Sequence, residues 1–193
     1  MKKWRLDFIV WHWVHAAVVL GLLGTVFLRK TFLSWRTNSE ILTQKLSAMN
    51  LEVTADQAKS LARAIRAPMW EWHIILGYAL AALLVWRILL FFTESGKQNY
   101  KNFKEDNLHK KIVKAGYLAT YGVLIIMAVS GLLIHFDDAL GISDKTAEML
   151  KEVHEFLYNF ILIFVPLHII GILIAENRDE NGITSDMING GKK

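Results

Sequence analysis

The chain has 193 residues, no cysteine, a formal net charge of +4 and 53% hydrophobic residues, with seven Trp. The lack of Cys excludes disulfides, thiolate catalysis, iron–sulfur ligation and the CxxCH attachment of c-type haem within this chain. No Walker A, dinucleotide-binding glycine or HExxH motif provides for nucleotide-driven or hydrolytic chemistry. The apolar surplus is above that of a soluble domain and collects in blocks; the positive charge collects between them, a pattern of membrane orientation and not of nucleic-acid binding.

The first block, Phe8 to Leu28, has about the ~20 residues that a helix needs to cross a bilayer. It is long for a signal-peptide core, follows charged and aromatic residues and lacks a small-x-small cleavage site, so it is expected to remain as helix one. Near its start lie His12 and His15, two polar rings whose burial without partners is costly. The segment 29–69 comes next. In it, "SEILTQKLSAM" sets Ile41, Leu42, Lys45, Leu46 and Met49 in an amphipathic arrangement, and "TADQAKSLARAIRAP" opens with Thr54 and Gln57 at capping-box spacing. Two short surface helices are predicted there, the second stopping at Pro68.

The second block, Trp70 to Phe92, has His73 at its start and Arg87 near its end. Arg87 can pair with an anionic group or snorkel to the surface. The third block, Ala115 to Phe136, has His109 before it, in a basic loop, and His135 at its far end. The fourth, Val153 to Ala175, contains His154 and His168, with Pro166 expected to disturb the helix just before His168. A polar tail, 176–193, ends the chain. Trp4, Trp11, Trp13, Trp70 and Trp72 fall near block ends, where Trp acts first as an interfacial anchor.

Four crossings put both termini on one side. The N-terminal "MKKWR" and the loop 93–111 are rich in Lys and Arg, whereas 137–152 is acidic, so the basic-loop rule places the termini in the cytoplasm and 29–69 outside. The fold expected is all-α: an integral membrane four-helix bundle, one domain over 1–193, with two short surface helices in the outer loop.

Of the seven histidines, His154 and His168 form the most informative pair. Fourteen residues on an α-helix turn through ~1400°, which returns to within ~40° of the same face after ~21 Å of rise. Both therefore look into the bundle, one near each membrane surface. With this topology His73 lies at the depth of His154, and helix one supplies His12 or His15 near the depth of His168. Two histidine pairs stacked across a membrane suit flat redox groups between helices, and haem b is the natural candidate. Zinc would want three or four ligands clustered. The competing reading is a haem-free membrane protein whose histidines hydrogen-bond between helices.

The motifs carry a resemblance to a known family. "WHWVHA" in helix one is close to a W-H-W-x-N-A run, with Thr25 near the usual Thr-Gly. His73, Gly77 and Arg87 keep an H-x3-G-x9-R spacing, and "ENRDENGITSDMINGGKK" is like an acidic segment ending in I-S-x-M-[IV]-N-G. In these features the chain resembles the four-helix di-haem cytochrome b subunits of bacterial nickel–iron hydrogenases and formate dehydrogenases, and is similar to the bacterial cytochrome b561 group. The resemblance implies two haem b groups, with iron held by His73 and His154 on the outer side and by His12 and His168 on the inner side. It selects His12 by motif, while depth alone favours His15. His15 stands where relatives often carry Asn, and would hydrogen-bond a haem propionate or quinone.

Such a protein moves electrons between a periplasmic redox partner, whether hydrogenase, dehydrogenase or c-type cytochrome, and the quinone pool of the bacterial inner membrane. It would be the membrane subunit of a larger oxidoreductase more than a complete enzyme. The alternative implied by the b561 group is a stand-alone superoxide:quinone oxidoreductase, with Arg63 and Arg66 in the outer loop collecting the anion. Homodimerisation is left open by the sequence.

Overall fold

A computed structural model describes residues 6–92, 108–178 and 182–190. The basic N-terminal Met1 to Arg5, most of the basic loop (93–107), and the tail residues 179–181 and 191–193 lie outside the described residues. The sequence expectations that rest on them, including Trp4 as an anchor, lie there too.

All the described secondary structure is helical. The long helices are α1 (Leu6–Lys30), α3 (Ala55–Phe91), α4 (Leu108–His135) and α6 (Asp144–Arg178). Shorter ones are α2 (Trp35–Ala48), α5 (Asp137–Leu140) and α7 (Ile183–Asn189). Four helices are long and apolar enough to span a membrane, and each apolar block falls within one of them to within a residue at its end. Large apolar side chains such as Phe156, Ile163 and Leu167 stand exposed on α6. This pattern suits lipid as the solvent, since a soluble chain rarely leaves so much apolar surface open.

The capping box forms as expected. The Gln57 N–H donates to Thr54 Oγ1 (3.2 Å) and the Thr54 N–H donates to Gln57 Oε1 (2.9 Å). The helix it starts does not stop at Pro68, however. It continues through the proline into the second apolar block, so the second surface helix is the N-terminal part of α3 and not a separate element. A proline removes one N–H from the ladder and crowds one carbonyl; strong helix formers before it and a bilayer-length apolar run after it outweigh that local loss. Pro166 likewise lies inside the continuous α6.

A second difference concerns 137–152. Most of this acidic stretch is helical: α5 ends at Gly141, which adopts the left-handed φ of 65°, and α6 then starts nine residues before the apolar block. Ser143 caps it, accepting from the Thr146 N–H (3.4 Å). Hydropathy marks where lipid begins, not where a helix begins, and "SDKTAEMLKE" is a capped run of good helix formers.

The described residues group into two compact units, one from 6–16 with those of 78–190 and the other 17–77, with boundaries inside α1 and α3. In the unit 17–77, the Trp35 ring is flanked by Arg36 (5.2 Å), Lys59 (4.9 Å) and Arg63 (5.7 Å). Ala58 and Ala62, one turn apart on α3, are fully buried. In the other unit the tail folds back. Glu176 accepts from the N–H groups of Gly182 (2.8 Å) and Thr184 (2.9 Å) at the start of α7, where a carboxylate complements the helix dipole. The Trp13 indole donates to the Met187 carbonyl (3.1 Å) and ties α7 to α1.

Candidate functional site

Helix one is set by Trp11. This residue is no interfacial anchor: it is 1% exposed, and its indole N–H donates to the Leu83 carbonyl (2.7 Å). Its place on the inward face of α1 decides its burial, which a reading by depth alone misses. One turn later, His15 stacks on Trp11 with ring centres 4.8 Å apart and planes at 22°. The buried Nε2 of His15 has no hydrogen-bond partner.

His12 points elsewhere. Its ring centre lies 6.4 Å from that of His168, with planes at 61°. An imidazole nitrogen sits about 1 Å from its ring centre and binds a metal at about 2 Å, so two imidazoles that would share one iron can have ring centres up to about 6 Å apart. The His12–His168 spacing fits that requirement, and it gives His12 a partner that His15 lacks. Around His168, Phe164 stacks at 5.8 Å and 10° and Tyr117 meets the ring edge-on at 5.6 Å. The Tyr117 hydroxyl is 3.4 Å from His168 Nδ1.

His154 lies against α4. Its Nδ1 is 3.0 Å from Ser130 Oγ, and a Cβ on Gly131 would come within 3.3 Å of its Cε1. Glycine at 131 therefore makes room for the ring. His73 belongs to the unit 17–77, where its Nδ1 is 2.7 Å from Thr25 Oγ1. Its ring lies flat on Trp70 (4.9 Å, 6°), with the Arg29 guanidinium on the same indole at 5.0 Å.

Arg87 does not snorkel. It is 7% exposed and sits over the rings of Phe8 (5.4 Å), Trp11 (5.5 Å) and Tyr121 (5.2 Å). Its Nε donates to the Tyr121 hydroxyl (3.3 Å). Cation–π contacts of this kind partly replace lost hydration, and a buried guanidinium keeps donors for an anionic group. His135 packs edge-on against Tyr78 (5.9 Å) and Phe136 (4.8 Å).

The sequence reading missed the hydroxyls of Tyr117, Tyr121 and Ser130, and took Thr25 only as part of a motif. A signal for them was present, because each interrupts an apolar span and polar side chains there require partners.

Four bilayer-length helices with histidines held inside them define an integral membrane protein of the all-α class. A match over residues 3–190 to prokaryotic cytochrome b561 shows that the chain belongs to that family. It is accordingly a multi-pass membrane protein that binds haem b and transfers electrons. Comparison with curated proteins and with solved structures gives no match.

Proposed function

We propose that the chain acts as one di-haem cytochrome domain over 1–193, with both termini in the cytoplasm. In this reading it carries electrons between a periplasmic redox protein and the quinone pool, as the membrane subunit of a respiratory oxidoreductase. The observation that carries it is the 6.4 Å approach of His12 to His168. The fourteen-residue spacing from His168 back to His154 on the same helix face extends it to a second site.

His12 and His168 would hold the inner haem, and His73 and His154 the outer one. When bound, haem supplies reversible one-electron redox chemistry. The chain's own residues do the rest. Phe164 and Trp70 fix the planes of two of the imidazoles, and Arg87 holds positive charge in a buried aromatic setting, suited to a propionate. Reduction of a quinone consumes two electrons and two protons; protons taken from the cytoplasm make the transfer contribute to the membrane potential. The alternative is a stand-alone superoxide:quinone oxidoreductase, for which Arg63 stands exposed beside Trp35 in the segment 29–69.

The test compares two neighbouring variants. His12→Ala is expected to lose one of two haems per chain by pyridine haemochrome assay, while His15→Ala keeps both. The reverse result would make His15 the ligand and overturn the assignment.

A further inference from the structure

Thr25 and Ser130 have only one hydroxyl proton each, and each oxygen has two polar neighbours. Thr25 Oγ1 lies 2.7 Å from the Leu22 carbonyl oxygen and 2.7 Å from His73 Nδ1. Ser130 Oγ lies 3.1 Å from the Met127 carbonyl oxygen and 3.0 Å from His154 Nδ1. A carbonyl can only accept. If the hydroxyl gave its proton to the imidazole, two oxygens would face each other at 2.7 Å in the Thr25 case with no proton between them. The arrangement in which both contacts carry a proton has the hydroxyl donating to the carbonyl and accepting from Nδ1–H.

We infer that Thr25 and Ser130 are positioning residues that lock His73 and His154 in the Nδ1–H tautomer, which puts the lone pair on Nε2, and that they raise the donor strength of both rings. The haem part of this inference rests on the proposed ligand set. Each lock is built within its own unit and from the same parts: a backbone carbonyl, a β-hydroxyl and an imidazole in a row. Hydrogen-bond chains of this kind polarise one another, and a partner on the far nitrogen of a ligating His both orients the ring and makes it more basic. A more basic ligand favours ferric iron. Removing the hydroxyl therefore moves the reduction potential upward.

The experiment is a redox titration of the purified holoprotein carrying Thr25→Val or Ser130→Ala, with haem counted per chain. Each variant is expected to keep two haems and to raise the reduced-to-oxidised ratio of one of them about tenfold at fixed ambient potential, about 59 mV for a one-electron couple. The other haem stays unchanged, and Thr25→Ser and Ser130→Thr restore the wild-type value. A shift of the same haem by both variants supports the inference and the proposed pairing together. A shift of different haems supports the inference and contradicts the pairing. Retention of both haems with no potential moved, or equal shifts in the conservative variants, overturns the inference. If the wild-type protein holds no haem, the proposed ligand set fails, and the ring-nitrogen shifts of [15N]histidine-labelled protein decide the inference separately. Protonated Nδ1 at His73 and His154 supports it; protonated Nε2 overturns it.

Discussion

His168 and His73 are held in opposite ways. Around His168 the restraints are aromatic: Phe164 stacks on the ring, Tyr117 meets its edge, and the one hydroxyl contact is long at 3.4 Å. His73 has a flat aromatic neighbour too, but also a 2.7 Å contact to a hydroxyl whose own proton is committed to a carbonyl. Stacking fixes the plane of a ring and says little about its protons; a short hydrogen bond fixes both. Where a chain must present two imidazole pairs to two similar groups, this difference can set the two apart in potential without changing the ligand type.

Removing the rings should have the largest effect. His168→Ala and His73→Ala should each reduce haem from two to one per chain, and the absorption band lost should differ between them. Gly131→Val should come next, since a branched side chain at 131 collides with His154. Haem occupancy at the His154 site is expected to fall about tenfold, with the other site unaffected in the same difference spectrum. Tyr117→Phe removes a long contact only, so the potential of the His168 haem should move less than threefold in its redox ratio, well below the change expected for Thr25→Val. The smallest effect should be far from either ring: Thr54→Ala removes the capping box at the start of α3 and should cost about 1 kcal/mol of stability, measured by thermal unfolding in detergent, with both haem spectra unchanged.

The spans were legible in the sequence because a bilayer imposes a length and an apolar character that no packing detail can hide. The capping box at Thr54 and Gln57 was legible for a similar reason, as its chemistry is entirely local. The run-on of α3 past Pro68 and the early start of α6 at Asp144 were not. Polar helices continuing out of a membrane carry no hydropathy signal, and a proline costs less than a long helix gains.

The histidines stood out as polar groups in apolar surroundings, and spacing alone related His154 to His168. What separates His12 from His15 is which side of α1 each faces: His12 comes to His168, while His15 lies on Trp11. Depth along the helix could not distinguish them, because three residues are only ~4.5 Å of rise, and a turn of ~60° about the axis is enough to give the two rings different neighbours. The burial of Trp11 likewise follows from the face of α1 that it occupies, and that of Arg87 from its face of α3. Thr25 and Ser130 gained meaning only when the neighbouring carbonyls and imidazoles were in place, since a hydroxyl in an apolar helix commonly bonds back to its own backbone.

The most direct measurement is the pyridine haemochrome of the purified protein from haem-replete cells, expressed per chain and set beside its reduced-minus-oxidised spectrum. Two b-type haems per chain are expected. One haem would contradict the paired arrangement of His12 with His168 and His73 with His154, and none would contradict electron transfer by this chain altogether.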